Sequence, residues 1–294
     1  MKRCIIVNPK AGAFAQSSAS IHEQLDRLQP AEVHVTEEAG RAEGYARRAA
    51  AAGFEEIISA GGDGTLNQIV NGVARHFDRV RIGVLPLGTG NDFARSLGLP
   101  TALSENIDIV LAGATEAIDI VRARSQRARY FANVSAGGFS GLVNEKLTPK
   151  LKKTWGPLAY LRSAAAALPN LRGYRTAVEL DDATVDVDLY NVIIANGRYV
   201  AGGLPIAPEA DVKDGQVDVV LIPARPAAEM MMLVAQILLG KHLHNESITF
   251  RRARRVTVRS SPGMWFNVDG ELVGNEPITF EVMPRVLQFL VRST

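Results

Sequence analysis

The sequence predicts an α/β domain followed by an all-β domain. Three observations carry that expectation. Up to Gly113, apolar runs of strand length alternate with stretches of helical periodicity. Two glycine-rich turns, Gly61-Gly62-Asp63-Gly64 and Gly88-Thr89-Gly90, follow strands of that half. Beyond Arg122, short apolar runs recur at the spacing of a sandwich or barrel. The 294 residues leave room for two cores. The boundary is expected near Arg122, giving domains 1–122 and 123–294, with the final strand free to pack back on the first.

The first half reads in order as follows. Cys4 to Val7 is a buried strand, ended by Asn8-Pro9-Lys10-Ala11-Gly12, where proline interrupts the ladder and Gly12 permits an unusual backbone. Ile21, Leu25 and Leu28 mark a helix, and Glu32 to Thr36 is a strand with Val33 and Val35 alternating. Gly40 to Ala52 is an alanine-rich helix closed by Gly53. Glu56 to Ala60 leads into the turn Gly61–Thr65. Leu66, Ile69, Val70, Val73 and Ala74 then form one helical face, with Thr65 and Gln68 expected as a capping box. Ile82, Val84 and Leu85 make a fourth strand. In the turn that follows, Asn91 and Asp92 offer polar contacts or a helix cap, and Gly98 closes a short helix. This β-α-β-α order implies a doubly wound parallel sheet. Ligands gather beyond the carboxyl ends of such strands, where Asn8–Gly12, Thr36, Gly61–Thr65 and Pro86–Asp92 all fall.

In the second half, strands are expected at 118–121, 130–134, 176–180, 185–189, 191–195, 217–222, 247–251, 255–258, 264–268, 278–282 and 286–290. Asn133–Phe139 and Asn196–Gly203 are glycine bends that serve either as tight corners or as ligand contacts. Pro226 to Leu239 is apolar nearly all round, the pattern of a buried helix, and could alternatively wall an acyl-chain cavity.

Composition narrows the function classes. A net charge of +2 argues against a dedicated nucleic-acid binder. The single cysteine, Cys4, excludes a disulfide framework and fits a cytoplasmic protein. The N-terminal apolar run is too short for a signal peptide. Ala227 to Leu239 falls short of the ~20 residues that span a bilayer, so no transmembrane segment is expected.

The chemistry lies in the turns. Glycines let the backbone approach a ligand closely, and the helix after Gly64 presents unpaired N–H groups and a positive dipole end to a phosphate. Asp63 is placed to meet a Mg²⁺ riding on such phosphates. Phe266-Asn267-Val268-Asp269-Gly270-Glu271 sets two carboxylates around a glycine just after a strand. One such carboxylate can take the proton of an attacking hydroxyl; the same residues also describe a hairpin tip with solvated acids. Asp211-Val212-Lys213-Asp214-Gly215-Gln216 offers oxygen ligands for Mg²⁺ or an ordinary Asp-Gly hairpin.

Asn8-Pro9-Lys10-Ala11-Gly12, Gly61-Gly62-Asp63-Gly64-Thr65 and Pro86-Leu87-Gly88-Thr89-Gly90-Asn91-Asp92-Phe93-Ala94 resemble the catalytic-domain motifs of the diacylglycerol kinase family, and in particular its soluble bacterial lipid kinases. NAD kinases and 6-phosphofructokinases carry related Gly-Gly-Asp-Gly turns; Gly-Thr-Gly-Asn-Asp-Phe-Ala favours the lipid kinases. The resemblance covers almost the whole chain, with Lys10-Ala11 departing from the commoner Thr-Ser or Lys-Ser. It implies an NAD kinase- and phosphofructokinase-like nucleotide domain and a β-sandwich lipid domain. It also implies ATP-dependent phosphorylation of a lipid hydroxyl, most simply diacylglycerol to phosphatidic acid. ATP is then expected on Asn8, Pro9, Lys10, Ala11, Gly12, Thr36, Gly61, Gly62, Asp63, Gly64, Thr65, Leu66, Asn67 and Thr89. Glu271 is the expected proton acceptor, with Asp269 supporting it or joining the Mg²⁺ network. A structural Mg²⁺ is expected on Asp214 with oxygens of Asp211 and Gln216.

A diacylglycerol is insoluble, so the enzyme is expected to work transiently at the inner face of the membrane. Lys150-Leu151-Lys152-Lys153-Thr154-Trp155 and the apolar face Leu158, Leu161, Ala165 and Leu168 suit an interface or a core helix with a charged start. Arg251–Arg255 reads as a solvated turn. Exposed strand edges allow a homodimer. The alternatives are a kinase for another lipid or a sphingoid base, and a non-catalytic nucleotide- or lipid-binding module.

Overall fold

The structure is a computed structural model and describes residues 2–12, 18–38, 40–138, 173–239, 242, 248–275 and 277–293. Phe139 and the stretches Lys150–Trp155 and Leu158–Leu168 lie outside the described residues. The chain divides into two compact units, Met1–Ile120 with Met283–Thr294, and Val121–Val282.

The first unit runs β1 (Arg3–Val7), α1 (Ser18–Asp26), β2 (Glu32–Val35), α2 (Arg41–Ala51), β3 (Glu56–Gly61), α3 (Asp63–Gly72), β4 (Arg81–Pro86), α4 (Asp92–Ser96) and α5 (Leu103–Ala112). Its strands are parallel in the order β2-β1-β3-β4. The end of β17 (Ile278–Leu290) lies parallel beside β4. Parallel neighbours require crossovers, and the helices supply them. The central strands are apolar without alternation because both faces are covered: Cys4, Ile5, Ile6, Val7, Ile57, Ile58, Ile82 and Leu85 are all buried. One face packs Ile5, Val7, Ile58 and Leu85 under Ile21 and Leu25 of α1 and Ile107 and Val110 of α5. Elsewhere α3 meets α2 so closely that a Cβ on Gly72 would stand 2.5 Å from the Glu43 carbonyl. At the amino ends of the strands, fully buried Glu56 pairs with Arg3 and, at 2.7 Å, with Arg81. Two guanidiniums thus offset its desolvation. Burial pushes the Cys4 thiol up to about 12, with the Glu32 carboxylate adding to the rise, so Cys4 is an inert core residue.

The structure corrects the helix start expected after the first glycine turn. α3 begins at Asp63, with Gly62 at the cap position and no side-chain cap bond. Thr65 is already inside the helix, and its hydroxyl accepts a hydrogen bond from Asn8 instead of closing a capping box.

The second unit holds the end of β5 (Thr115–Arg124), then β6 (Ala128–Phe131), β7 (Val134–Gly138), β8 (Tyr174–Leu180), β9 (Ala183–Ala195), β10 (Tyr199–Val200), β11 (Leu204–Pro205), β12 (Val217–Pro223), α6 (Ala227–Leu238), β13 (Thr249–Ala253), β14 (Arg255–Ser261), β15 (Phe266–Val268), β16 (Glu271–Gly274) and the start of β17. Pairing here is antiparallel. The strands expected at 185–189 and 191–195 are one strand. β9 pairs with β8 along its first part and with β7 and β12 along its second, with a register shift opposite Tyr190. A strand that changes partners through a bulge turns the corner of a sandwich. The strands expected at 278–282 and 286–290 also merge, as β17, which carries Arg285 at φ 49°. Conversely, the run expected at 130–134 splits into β6 and β7.

The core of this unit centres on Phe131, Phe266 and Phe280, whose rings meet at 5.5–6.1 Å between centroids. A second cluster lies under α6, where Met230, Leu233 and Ile237 cover Ile193, Val220 and Ile222. The helix is not buried all round, since Met232 stands exposed.

Candidate active site

In the first unit three turns come together at the carboxyl ends of β1, β3 and β4. The Asn8 amide donates to the Ala60 carbonyl at 2.9 Å, and Asn8 Nδ2 donates to Thr65 Oγ1 at 3.1 Å. Asn8 Oδ1 accepts from the Lys10 amide at 3.0 Å, folding the first turn on itself. A Cβ on Gly12 would lie 3.1 Å from Thr89 Oγ1, so the first turn abuts the third. The second and third turns touch backbone to backbone: a Cβ on Gly88 would stand 2.5 Å from the Gly62 Cα. The Gly61 carbonyl accepts from the amides of Leu87 and Gly88 at 2.9 and 3.2 Å.

Asn91 occupies the cap position of α4 without capping it. Its left-handed backbone folds the side chain back, where Oδ1 accepts from the Gly88 amide and Nδ2 donates to the carbonyls of Pro86 and Gly88. Asp63 Oδ1 accepts from the Phe93 amide at 3.1 Å, which ties the starts of α3 and α4. Lys10, Gly64 and Thr89 are exposed, whereas Ala11, Thr36, Thr65, Leu66 and Asn67 are buried. The Thr36 amide donates to the Val7 carbonyl. The uncapped first turn of α3 and the glycines around it form a cradle of main-chain donors, the arrangement that receives a phosphate.

In the second unit, β15 and β16 form a hairpin with Val268 opposite Glu271. The two turn residues, Asp269 and Gly270, have φ of 44° and 91°, as the primed hairpin turns require. Asp269 is a backbone clamp. Its Oδ1 accepts from the Val134 amide at 2.9 Å, its Oδ2 from the Ala132 amide at 3.4 Å, and its own amide donates to the Val134 carbonyl. The bend at 196–203 braces the same corner: Asn196 Nδ2 donates to the Ala132 carbonyl at 2.7 Å, and Asn133 Nδ2 to the Tyr199 carbonyl at 3.0 Å. Glu271, at the head of β16, has Oε2 hydrogen-bonded by the Arg129 guanidinium from β6. That leaves Oε1 for another partner. Sequence reasoning passed over Arg129, because its partner is 142 residues away and nothing local marks the pair. The glycines of β7 serve packing; a Cβ on Gly137 would strike the Phe266 ring at 2.5 Å.

The Asp211–Gln216 segment makes two successive side-chain turns. Asp211 Oδ1 accepts from the Lys213 amide at 3.1 Å and Asp214 Oδ1 from the Gln216 amide at 2.9 Å, with Gly215 at φ 75°. Among the described residues, no three His, Cys, Asp or Glu side chains form a metal cluster, so a cation here would rely on carbonyl and amide oxygens beside a carboxylate. The donor chemistry fits Mg²⁺, a hard ion that takes oxygen ligands. Next to it, buried Asp218 is bonded by Arg252 at 2.9 Å and keeps Oδ2 without a hydrogen bond. Burial raises its carboxyl to about 6 against the pull of Arg252, and the charges of Asp214 and Glu209 add to the rise.

The first unit is thus an α/β unit with glycine turns gathered at the carboxyl ends of its strands, and the second a β unit bearing an arginine-held carboxylate. Residues 2–123 match the diacylglycerol kinase catalytic domain, and residues 132–291 match the YegS C-terminal NAD kinase beta sandwich-like domain. The diacylglycerol kinase of Bacillus subtilis is 34% identical over 285 residues, covering 95% of this chain and 93% of that protein. That of Staphylococcus carnosus is 32% identical, covering 94% and 90%. A solved diacylglycerol kinase structure from Bacillus anthracis superposes with a TM-score of 0.75 at 21% identity, over 99% of this chain and 97% of that one, and shows the fold. The chain belongs to the diacylglycerol kinase family and is a kinase. Among its described residues no helix is long and apolar enough to cross a membrane.

Proposed function

We propose that this enzyme transfers the γ-phosphoryl group of ATP to the hydroxyl of a diacylglycerol, releasing ADP and phosphatidic acid. The observation that carries the donor half is the junction of the Gly62 and Gly88 turns over the uncapped start of α3. Triphosphate oxygens lie on those main-chain donors, with Asn8–Gly12, Thr36, Gly61–Asn67 and Thr89 around the nucleotide. Buried Leu66 and Asn67 act through their backbone, and exposed Lys10 and Thr89 reach the phosphates directly. Mg²⁺, met by Asp63, supplies neutralisation of phosphate charge when bound.

Glu271 is the proton acceptor. Arg129 holds its Oε2, leaving Oε1 for the acceptor hydroxyl. As the lipid oxygen bonds to the γ-phosphorus, the bond from that phosphorus to the β–γ bridging oxygen breaks, and the hydroxyl proton passes to Glu271. Asp269 keeps the hairpin in place and takes no proton. A second, structural Mg²⁺ belongs on Asp214 with oxygens of Asp211 and Gln216. The names of the Bacillus subtilis and Staphylococcus carnosus relatives favour diacylglycerol over another lipid or a sphingoid base. Incubation with γ-labelled ATP and a panel of neutral lipids tests the assignment. Label is expected in phosphatidic acid; label in another lipid, with none in phosphatidic acid, would overturn it.

A further inference from the structure

The second unit carries a hollow that phosphoryl transfer leaves unused. It has a volume of about 590 Å³ and opens on β8, β9 and β14. The strand pattern explains why it forms there. Along β8, Thr176, Val178 and Leu180 are buried, so alternation sends Arg175, Ala177 and Glu179 to the outer face. The register sets Asp188 opposite Arg175 and Asp186 opposite Ala177 on β9. On β14 it sets Ser261 opposite Arg175 and Arg259 opposite Ala177. Ala177 is therefore a short floor with long charged side chains around it.

The charges around that floor are sorted. Both carboxylates, Asp186 and Asp188, stand on β9, whereas the guanidiniums of Arg175 and Arg259 stand on β8 and β14. All four side chains are exposed. Opposite charges directly across a strand pair attract one another. Yet Arg175 and Asp188 form no ion pair, and neither does Asp186. Of the four, Arg259 is engaged, by Glu179. One guanidinium and two carboxylates thus keep their charges for another partner. Asp186 and Arg259 lie two strand spacings apart, about 10 Å between backbones. A molecule that reaches both walls needs an ammonium at one end and an anion at the other. A carboxylate matches the planar guanidinium fork.

We infer that this hollow binds a small amino carboxylate, its ammonium on Asp186 and Asp188 and its carboxylate on Arg175, with Arg259 beside it. In the sheet, β7 and β9 stand between β15 of the Glu271 hairpin and β8. The ligand is accordingly a second small molecule, separate from the phosphoryl acceptor.

Calorimetric titration of the whole chain at low salt, without ATP or lipid, tests the assignment. γ-Aminobutyrate should bind with a millimolar Kd. Butylamine and butyrate, which each carry one of its charges, should bind about tenfold more weakly. So should free glycine, whose two charges lie too close together to reach both walls. Arg175→Gln and Asp186→Asn, both on exposed side chains, should each weaken γ-aminobutyrate about tenfold. Ala177→Leu should abolish binding by filling the floor. Thermal melts check that the variants fold, and the two charge variants decide the matter if Ala177→Leu does not. Failure of γ-aminobutyrate to bind would overturn the proposal. Butylamine binding equally well would do the same, since it marks a plain cation site. Affinity unmoved by the variants would also overturn it, by placing the ligand elsewhere.

Discussion

The two units differ in what they offer to chemistry. In the first unit the proposed working surface is backbone: amides of the glycine turns, held by Asn8, Asn91 and the first turn of α3. In the second unit it is side chain: Glu271 steered by Arg129, on a hairpin clamped by Asp269. A backbone surface is broken by adding an atom where there is no room for one. A side-chain surface is broken by removing the atom that reacts.

That contrast yields tests in descending order of effect. Glu271→Gln deletes the proton acceptor and keeps the shape, so transfer should fall by about 10²–10⁴-fold with ATP affinity retained. A parent-like rate would break the side-chain half of the comparison. Arg129→Ala should lower turnover less, with the KM for ATP unchanged, and Arg129→Lys should restore only part, because an ammonium lacks the planar fork.

Gly88→Ala sets a Cβ against the Gly62 backbone and should cost roughly 1–3 kcal/mol of stability, together with a loss of ATP affinity. Gly64→Ala meets no atom of the chain within 4 Å and should leave stability nearly unchanged. Thermal melts and ATP titrations of the two variants sharpen the claim that contact between turns, rather than glycine content, makes the cradle. Equal effects would refute it.

The smallest effect is a pH slope. The Asp218 carboxyl is raised from 3.8 to about 6 by burial, so the folded chain binds the proton more tightly than the unfolded one. Stability from this group is full below pH 3.8 and is lost as pH rises through about 6. Denaturant titrations between those values should show the decline, and Asp218→Asn should flatten it.

Much of the fold was legible locally. Strands β1, β3 and β4 announce themselves as unbroken apolar runs because both faces are covered. The glycine turns are visible because only glycine allows two backbones to touch. The strand breaks of the second unit were less visible. β9 and β17 each continue through a distortion that looks like a gap in the apolar pattern. The capping box failed for a related reason: Thr65 has the right residue type, but Asn8 from another turn takes its hydroxyl.

The sequence by itself determined the class of each unit and the turns at the strand ends, while Glu271 was marked by the family resemblance. Those follow from periodicity and local backbone chemistry, which a short window contains. Only the tertiary structure decided that Gly62 lies on Gly88, that Asp269 bonds the Ala132 and Val134 amides, that Arg129 bonds Glu271, and that Trp265 and Leu272 are exposed. Each depends on which distant segments become neighbours. That is set by the packing of whole strands and helices, and no local stretch of sequence encodes it.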